Sequence, residues 1–461
     1  MAGKKRRYIL LMIAISIFST AVGQGIVSGP WAGNVEMRTA TIWVEVTRDV
    51  KTVAVKFRAL HDDEGSTGLE SGMVAYKGKL GNDFNPVKIE LNGLKINTGY
   101  SYSIWINGRE MRLSFPAKFT TKDLWQFRKP APDFSFLTGS CAYFNQPEFD
   151  RPGKPYGGDS SIFETMAQTY AAFHVWLGDN WYTREVDFSS AWGLNYRASH
   201  DRGLPILQRF MASMPQYAIW DDHDYGPNDA GKSYILKEES RKIFANYWCN
   251  PSFGEEGKGV YSMISYSDAD IFLTDDRYFR SEDEMPDSIN GQPNKAKEYF
   301  GRKQMEWLKN ALTFSKATFK IIATGSQVLN PYTDAECMRK YSAEYHELLD
   351  FLAQQKIKGV LFITGDRHHS EVLEVKRPGL YPLYDITVSP YTSGIGRVSG
   401  IELKNPLRVP GTLVEAQNFA KVSITGKKNE RVMKVEFIGL KGIKLGEWTV
   451  SQNELGLRRE E

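Results

Sequence analysis

The sequence predicts an α/β protein in two parts, a small antiparallel β-sandwich followed by a larger layered α/β domain. Residues 25–122 contain short runs of alternating apolar and polar residues separated by turn residues, a pattern typical of β-sandwiches. After the proline-rich residues 129–132, buried strands alternate with helices, and this alternation indicates a layered α/β domain. The length of 461 residues agrees with more than one domain.

The composition is that of an ordinary globular protein. Hydrophobic residues make up 41% of the chain, charged residues make up 25%, and the formal net charge is +3. A net charge this small indicates neither an anionic nor a cationic partner. The sequence has no stretch of Lys and Arg interleaved with aromatic residues, so it gives no support to nucleic-acid binding.

The first 23 residues predict a signal peptide. Residues 4–7 are all basic, residues 8–18 are mainly apolar, and small or polar residues follow up to Gly23, which is the order of regions in a secretory signal. The apolar run is too short to cross a bilayer comfortably, and no other stretch resembles a membrane span. We therefore expect cleavage after Gly23 and a periplasmic or secreted mature chain. The basic pair Arg6-Arg7 also permits twin-arginine export.

Export affects the interpretation of the three cysteines, Cys141, Cys249 and Cys337. An oxidising compartment favours disulfides, and an odd cysteine requires another explanation. A bond between Cys249 and Cys337 is left open by the sequence. Cys141 differs from both, because it follows a predicted strand directly.

The elements of the two parts follow from hydrophobic periodicity. Residues 24–122 hold no concentration of acids or histidines, and we interpret this part as a structural or docking module. Its predicted strands are residues 41–46, 52–57, 87–91 and 100–106. In the second part, residues 123–461, the predicted strands are residues 134–138, 174–177, 271–274, 319–324 and 359–364, and the predicted helices are residues 160–172, 235–248, 301–314 and 343–355. The strands at residues 421–425 and 432–437 are expected to complete a sheet of this second part.

Residues 219–229 concentrate four aspartates, a histidine and an asparagine in one turn, directly after residues 215–218, which predict a short buried strand. Carboxylates this close repel one another unless a positive group lies among them. Water alone satisfies an exposed acidic turn, but carboxylates and an imidazole at a strand end are also the composition of a hard-metal site. Both interpretations remain open when this stretch is taken alone.

Three other predicted strands end in residues of the same kind. The segments that follow them are Gly139-Ser140-Cys141, Gly178-Asp179-Asn180-Trp181-Tyr182 and Gly365-Asp366-Arg367-His368. In open α/β sheets, binding sites form just beyond the carboxyl ends of the strands. Each residue alone has a structural explanation, since Cys141 is also a small apolar residue and Asp179 also suits a helix N-cap. Four such strand ends together predict a metal site.

These four segments resemble those of the PhoD-type alkaline phosphatases, a branch of the calcineurin-like metallophosphoesterases. Asp275-x-Arg277 and Arg280, which follow the predicted strand at residues 271–274, resemble a further segment of that family. The resemblance implies a four-layer αββα core preceded by the β-sandwich. It also implies a cluster of Fe3+ and Ca2+, with a dinuclear zinc, manganese or magnesium centre as the alternative.

The resemblance assigns metal ligands by position. The implied iron ligands are Cys141 and Tyr182, Asp179 bridges the metals, and the remaining ligands are Asp222, Asn228, Asp366 and His368. These residue types agree with the metals, because thiolate and phenolate suit Fe3+ and carboxylate oxygens suit Ca2+. It is left open whether Glu185 or Asp187 joins the metal site.

The resemblance further implies a phosphoric ester hydrolase in which a metal-bound hydroxide attacks phosphorus. His223 is then a phosphate contact or a general acid, and Arg277 and Arg280 clamp the phosphoryl oxygens. An internal ion pair of these arginines with Asp275 or Asp276 is the alternative. We favour monoester substrates with diesters accepted, and the natural substrate is left open.

Two functions of other classes compete with this interpretation. Residues 226–233 match the P-loop consensus G-x-x-x-x-G-K-[ST]. However, a P-loop binds phosphate through its backbone amides, and Pro227 lacks an amide hydrogen. An exported chain also meets little nucleoside triphosphate. The same acids suit a calcium-stabilised surface protein without activity, although calcium alone requires neither Cys141 nor Tyr182 nor His368.

Overall fold

The computed structural model of the chain describes residues 25–61, 67–332 and 335–457. The predicted signal peptide, residues 1–23, lies outside the described residues. No helix within the described ranges is long and apolar enough to span a bilayer.

An antiparallel β-sandwich opens the described chain. Its strands are β1 (Ile26–Gly33), β2 (Thr39–Val46), β3 (Val53–His61), β4 (Ser71–Ala75), β5 (Asn85–Asn92), β6 (Gly99–Ile106), β7 (Arg109–Glu110) and β8 (Lys118–Thr120). One sheet has the order β1-β2-β5, and the other has the order β4-β3-β6-β7 with β8 also paired to β6. The two sheets bury one apolar core, to which Ile42 and Leu91 contribute from the first sheet and Val55 and Ile104 from the second. Alternation along these strands therefore predicted this part correctly.

The second part is built on two larger mixed sheets. The strands of the first, in spatial order, are β11 (Gln216–Ile219), β10 (Phe173–Leu177), β9 (Phe134–Gly139), β20 (Asn418–Thr425), β21 (Val432–Gly439) and β22 (Lys444–Ser451). Those of the second are β12 (Ser262–Tyr266), β13 (Ala269–Leu273), β16 (Phe319–Thr324), β17 (Val360–Thr364), β19 (Leu383–Thr387) and β18 (Glu371–Val375). A small exposed hairpin is formed by β14 (Ser288–Ile289) and β15 (Gln292–Pro293).

Helices cover the outer faces of both sheets, and one further short helix, at Asp222–Tyr225, follows β11 directly. They are α1 (Ile162–Gln168), α2 (Ala191–Gly203), α3 (Pro205–Ser213), α4 (Asp222–Tyr225), α5 (Lys237–Tyr247), α6 (Arg302–Phe314) and α7 (Ser342–Gln354). Short 3-10 helices lie at Met338–Lys340, Gly400–Lys404 and Leu440–Gly442.

The central strands are buried on both faces, which produces four layers. In β10, Val175 points into the core between the two sheets, whereas Trp176 packs with Phe210 of α3 and Phe244 of α5. In β16, Ile321 likewise points between the sheets, and the next residue packs under α6 and α7. Strands enclosed on both faces read as continuous apolar runs rather than alternating ones. The αββα architecture is thus confirmed.

Several predicted elements differ in extent from those observed. The strand at residues 319–324 has the predicted ends, and β20 pairs with β9, so the C-terminal strands do complete the first sheet. The predicted helix at residues 160–172 is too long, because Thr169 has extended backbone angles and ends α1 at Gln168. The sequence prediction missed α2 and α3, although Ser190 caps the first by accepting from the Gly193 amide and Pro205 begins the second.

The β-sandwich packs directly against α2 and α5. Trp43 donates from Nε1 to the carbonyl of Asn246 at 2.8 Å. Glu45 is 1% exposed and accepts from the Ser199 hydroxyl at 2.8 Å and the Tyr247 hydroxyl at 2.9 Å. An ionisable side chain is therefore enclosed where the two parts of the chain meet.

The three cysteines are all buried and free. The pairing of Cys249 with Cys337, which the sequence left open, does not occur. Each of these two side chains is instead enclosed as a small apolar residue.

Candidate metal centre

The predicted strand ends meet at one edge of the two sheets. In the first sheet β9, β10 and β11 are adjacent and parallel, and in the second β13, β16 and β17 are adjacent and parallel. Cys141, Asp179, Asp222 and Asp366 follow β9, β10, β11 and β17 directly. The four segments separated in sequence thus converge beyond the carboxyl ends of parallel strands, where sites in such sheets form.

Glycines allow this convergence. A Cβ atom on Gly178 would lie 2.6 Å from Cβ of Asp221, and one on Gly325 would lie 2.6 Å from Cγ of the same aspartate. Both distances are far below van der Waals contact. The loops after β10, β11 and β16 can therefore approach one another only because glycine occupies these two positions.

Non-glycine residues at these strand ends adopt left-handed backbone angles. The φ angle is 65° at Cys141, 52° at Asp179, 64° at Asp366 and 57° at His368. Such conformations are unfavourable for residues with a side chain and persist where the surroundings enforce them, often at functional sites. Four residues with unfavourable backbone angles thus follow the strands at this edge.

Two overlapping sets of metal-type ligands lie at this edge. Ligand atoms of Cys141, Asp179 and His368 all lie within 4.8 Å of one another, and so do those of Asp179, Asp222 and His223. Asp179 belongs to both sets, as the predicted bridging residue would. The Tyr182 hydroxyl lies 3.3 Å from Nε2 of His368. Five predicted ligands are thus brought together with His223, namely Cys141, Asp179, Tyr182, Asp222 and His368.

The other predicted ligands lie at the border of this cluster. The Cys141 thiol donates to the backbone carbonyl of Asp366 at 3.7 Å, which places that residue beside the first set. Asn228 lines a cavity together with Tyr182 and His223. The His223 and Tyr182 rings contact each other in a tilted arrangement, with ring centroids 4.2 Å apart.

Neither acid proposed after Tyr182 reaches the cluster through its observed contacts. Glu185 is exposed and pairs with Arg151 at 2.9 Å. Asp187 is buried, accepts from the Arg184 amide at 2.8 Å and pairs with Arg197 at 2.8 Å. The contacts of both carboxylates are thus taken by arginines.

The electrostatics of the cluster suit bound cations. Burial, reinforced by Asp222 and Asp224, raises the pKa of Asp179 well above its ordinary value, and burial raises the pKa of Asp221 likewise. Burial, reinforced by Glu336, raises the pKa of Asp366 to about 7. Crowded carboxylates with raised pKa values require a positive charge to ionise together. A metal ion would supply that charge and reverse these shifts.

Unsatisfied atoms support the same conclusion. Oδ2 of Asp221 and Nδ1 of His223 are buried without a hydrogen-bond partner among the described residues, which is costly for a folded protein. Burial and the nearby Asp179 raise the pKa of the Cys141 thiol, although Ser389 donates to its sulfur at 3.2 Å. Thiol, phenol, imidazole and carboxylate groups together form a donor set that fits both a ferric ion and a hard divalent cation.

Arg277 and Arg280 lie behind the cluster in ion pairs. Arg277 donates from Nε to Asp221 at 2.6 Å and from Nη1 and Nη2 to Glu336 at 3.0 and 2.5 Å. Arg280 pairs with Glu336 at 2.6 Å and with Asp283 at 2.6 Å. The ion-pair alternative is therefore realised, but with these acids rather than with the side chains of Asp275 or Asp276.

Sequence reasoning missed Glu336, whose carboxylate neutralises both arginines and lies within 4.8 Å of ligand atoms of Asp221 and Asp222. It follows β16 by a long loop, so no local pattern marks it. The nearest feature in the sequence is Gly325-Ser326, which follows the apolar strand at residues 319–324 at the same edge. Tyr156, which contacts His368, was also missed, because it lies in a loop that no local sequence pattern marks.

The P-loop interpretation of residues 226–233 is wrong. This segment follows α4 rather than a strand, and α5 begins only at Lys237. The Asp229 amide donates to Asp222 at 2.9 Å, and Lys232 pairs with Glu298 at 2.9 Å. The amides and the lysine that would bind phosphate in a P-loop are thus engaged by carboxylates.

A family model described as PhoD-like phosphatase matches residues 136–405, which is more than half of the sequence. A solved structure titled "Structure of PhoD" is similar over 93% of this chain and 90% of that chain, with a TM-score of 0.71 and 18% sequence identity. A Vps29 mutant from Entamoeba histolytica covers 69% of this chain and 98% of its own, with 12% identity and a TM-score of only 0.27, so it supports no conclusion. No curated protein matches the chain.

Proposed function

The chain belongs to the PhoD-like phosphatase family and is a phosphatase, and we propose that it is an exported, metal-dependent alkaline phosphatase. In this proposal it hydrolyses phosphoric monoesters and accepts diesters. The observation that carries the proposal is the pair of ligand sets that share Asp179, one with Cys141 and His368 and the other with Asp222 and His223. Membership of a phosphatase family leaves no support for the non-enzymatic calcium-binding alternative.

We propose that Cys141, Tyr182 and His368 hold a ferric ion and that Asp179 bridges it to calcium. Asp222, Asn228 and Asp366 complete the ligands, and a dinuclear zinc, manganese or magnesium centre remains the alternative. Such ions, when bound, supply Lewis acidity that lowers the pKa of water and offsets the charge on phosphoryl oxygens. The family membership and the mixture of soft and hard donors support this assignment.

The chain's own residues orient the substrate. His223 is proposed as the phosphate contact or general acid, because its ring lines the cavity and its Nδ1 has no partner among the described residues. Arg277 is proposed to act on the phosphoryl group through Asp221, since each of its side-chain nitrogens already contacts Asp221 or Glu336. Arg280 shares Glu336 and stabilises the same arrangement.

We also propose the domain limits and the export route. Residues 24–122 form the β-sandwich domain and residues 123–461 form the hydrolase domain. Residues 1–23 are a signal peptide that is cleaved after Gly23. Intact-mass measurement of the protein recovered outside the cytoplasm tests this cleavage, and a retained N-terminus would contradict it.

The experiment that tests the function is hydrolysis of p-nitrophenyl phosphate at alkaline pH, measured before and after chelation, together with iron, calcium, zinc, manganese and magnesium analysis. We expect turnover that chelation abolishes, and loss of both metal and turnover in Cys141→Ser and Asp179→Asn. Glu256→Gln serves as the matched control, because Glu256 is an exposed acid outside the cavity that pairs with Lys303. Full activity in protein from which all metal has been removed would overturn the proposal.

A further inference from the structure

A cavity of about 610 Å³ adjoins the candidate metal centre. Tyr182, His223 and Asn228 line it, and the segment from Tyr143 to Tyr156 forms most of the remaining wall. Pockets between about 300 and 1,000 Å³ hold ligands far larger than a phosphate group. The space therefore has room for the rest of a phosphate ester.

The direction of the cavity identifies which part of the ester enters it. His223 and Tyr182 belong both to the cluster and to the cavity lining, so the cavity lies directly beside the cluster. Hydrolysis breaks the bond between phosphorus and the ester oxygen, and water supplies the hydroxyl that replaces it. A phosphoryl group held at the cluster therefore directs its leaving alcohol into this cavity.

Aromatic side chains form a fixed wall of the cavity. Tyr143 lies edge-to-face with Tyr182, at 5.0 Å between ring centroids, and with Tyr156, at 4.9 Å. The guanidinium of Arg184 lies 4.1 Å from the centroid of the Tyr143 ring, and the Tyr143 hydroxyl donates to Asp150 at 2.7 Å. Phe149 and Phe188 also line the space. The contacts of Tyr143 hold the three tyrosine rings in place, and such rings present pre-organised edges and faces to a planar group.

One positively charged side chain of the cavity wall has no acidic partner among the described residues. Arg184 pairs with Asp150 at 3.1 Å and Arg151 pairs with Glu185 at 2.9 Å, so these four charges cancel. Lys154 is exposed, lines the same cavity and forms no ion pair with any described residue. Its ammonium group is available to an anion on the substrate.

We propose that the leaving group is a planar aromatic or heterocyclic alcohol that carries a second negative charge, with its ring against the aromatic wall and its anion at Lys154. This inference rests on the proposed function, because it assumes phosphoryl transfer at the cluster. Phe149 and Lys154 are then specificity-determining residues, one for the ring and one for the charge.

The test compares esters with matched leaving groups, namely ethyl phosphate, benzyl phosphate and 4-carboxybenzyl phosphate. All three release alkyl alcohols, so differences in kcat/KM between wild type and variants report binding rather than leaving-group chemistry. We expect Phe149→Ala to lower kcat/KM for benzyl phosphate by roughly tenfold, mainly through KM, and to leave ethyl phosphate unchanged. We expect Lys154→Ala to lower kcat/KM for the carboxybenzyl ester by roughly threefold to fivefold and to leave benzyl phosphate unchanged.

Phe127→Ala is the control, because Phe127 is fully exposed and is not among the cavity-lining residues. Circular dichroism and melting temperature confirm that each variant is folded. Equal loss for all three esters, or no loss for any, would overturn the inference. Absence of turnover with every ester in the metal-replete wild type would instead contradict the proposed function, so the two failures are distinguishable.

Discussion

The hydroxyl of Tyr156 lies 3.0 Å from Nδ1 of His368, while Nε2 of the same imidazole faces Tyr182 at 3.3 Å. Histidines that bind metal through one ring nitrogen commonly donate from the other to an oxygen, which fixes the tautomer and the ring orientation. Tyr156 also belongs to the cavity wall. The proposed substrate cavity and the candidate metal centre are therefore connected through one hydrogen bond.

Tyr156→Phe should weaken metal retention, because His368 loses the partner that orients its ring. Removal of such a partner typically lowers metal affinity by about 10- to 100-fold. Competition of the metal-loaded protein against a chelator, followed by metal analysis, measures this change without reference to activity. Tyr170→Phe is the control, since Tyr170 is 86% exposed. If wild type and both variants lose half of their metal at the same chelator concentration, Tyr156 does not orient His368 for metal binding.

Glu336→Gln should destabilise the fold, because Glu336 neutralises two arginines that are each 0% exposed. Removing one partner of a buried ion pair typically costs about 3 to 5 kcal/mol, since the remaining charge is left uncompensated. Urea unfolding of the metal-free protein measures the free energy of unfolding directly. The matched control is Glu256→Gln, which removes the exposed pair of Glu256 with Lys303 and should change stability little. If Glu336→Gln lowers the free energy of unfolding no more than the control does, then Asp221 and Asp283 are enough to neutralise the two arginines.

Glu45→Gln should alter how stability depends on pH. Burial at the contact between the two parts of the chain raises the pKa of Glu45 from its ordinary 4.5 to about 7, against the hydrogen bonds donated by Ser199 and Tyr247. The folded state therefore binds a proton more tightly than the unfolded state. This contribution to stability is fully present below pH 4.5 and is lost as the pH rises to about 7. The slope is roughly 1.4 kcal/mol per pH unit, which sums to about 3 kcal/mol.

The measurement is the free energy of unfolding of wild type and Glu45→Gln between pH 5 and pH 8. Glutamine cannot ionise, so the free energy of unfolding of the variant should lack this decline. The stability of the variant relative to wild type should therefore increase with pH. Glu90→Gln, on an exposed position of β5, should follow the wild-type curve. Parallel curves for Glu45→Gln and wild type would show that the carboxyl does not titrate in this range.

The sequence predicted the parts of the structure that depend on local pattern. Apolar runs marked the buried strands, and acids directly after those runs marked Asp179, Asp222 and Asp366 as neighbours, because parallel strands bring their carboxyl ends together. Helix α2 was missed because its residues are largely polar and several buried ones are charged, Arg197 and Arg202 among them. Periodicity of apolar residues cannot identify a helix that buries ion pairs.

The contacts of Glu336 and Tyr156 could not be predicted for a different reason. Glu336 meets Arg277 across 59 residues, and Tyr156 meets His368 across 212 residues. Both lie in loops whose course is set by tertiary packing rather than by a repeating pattern. Sequence reasoning therefore identified the residues at the strand ends and missed those that reach the same edge from long loops.

Gly178→Ala should separate the loops that carry Asp179 and Asp222. The added Cβ would lie 2.6 Å from Cβ of Asp221, and the backbone already has a φ of 93°, so the substitution combines strain with overlap. Gly81→Ala is the control that measures backbone strain without overlap. Gly81 has a φ of 98°, and no atom lies within 4 Å of an added Cβ. We expect a loss of about 1 kcal/mol for Gly81→Ala and a further 1 to 3 kcal/mol or so for Gly178→Ala from overpacking.

Metal retention distinguishes the two substitutions more sharply than stability does. Gly81 lies in the β-sandwich, so Gly81→Ala should bind metal as wild type does at temperatures where both are folded. Gly178→Ala displaces the loop after β10, and with it the carboxylate of Asp179 that both ligand sets share. We therefore expect a lower metal content after dialysis against limiting chelator. Unchanged metal content in a Gly178→Ala variant with the expected loss of stability would mean that the loop relaxes without moving Asp179.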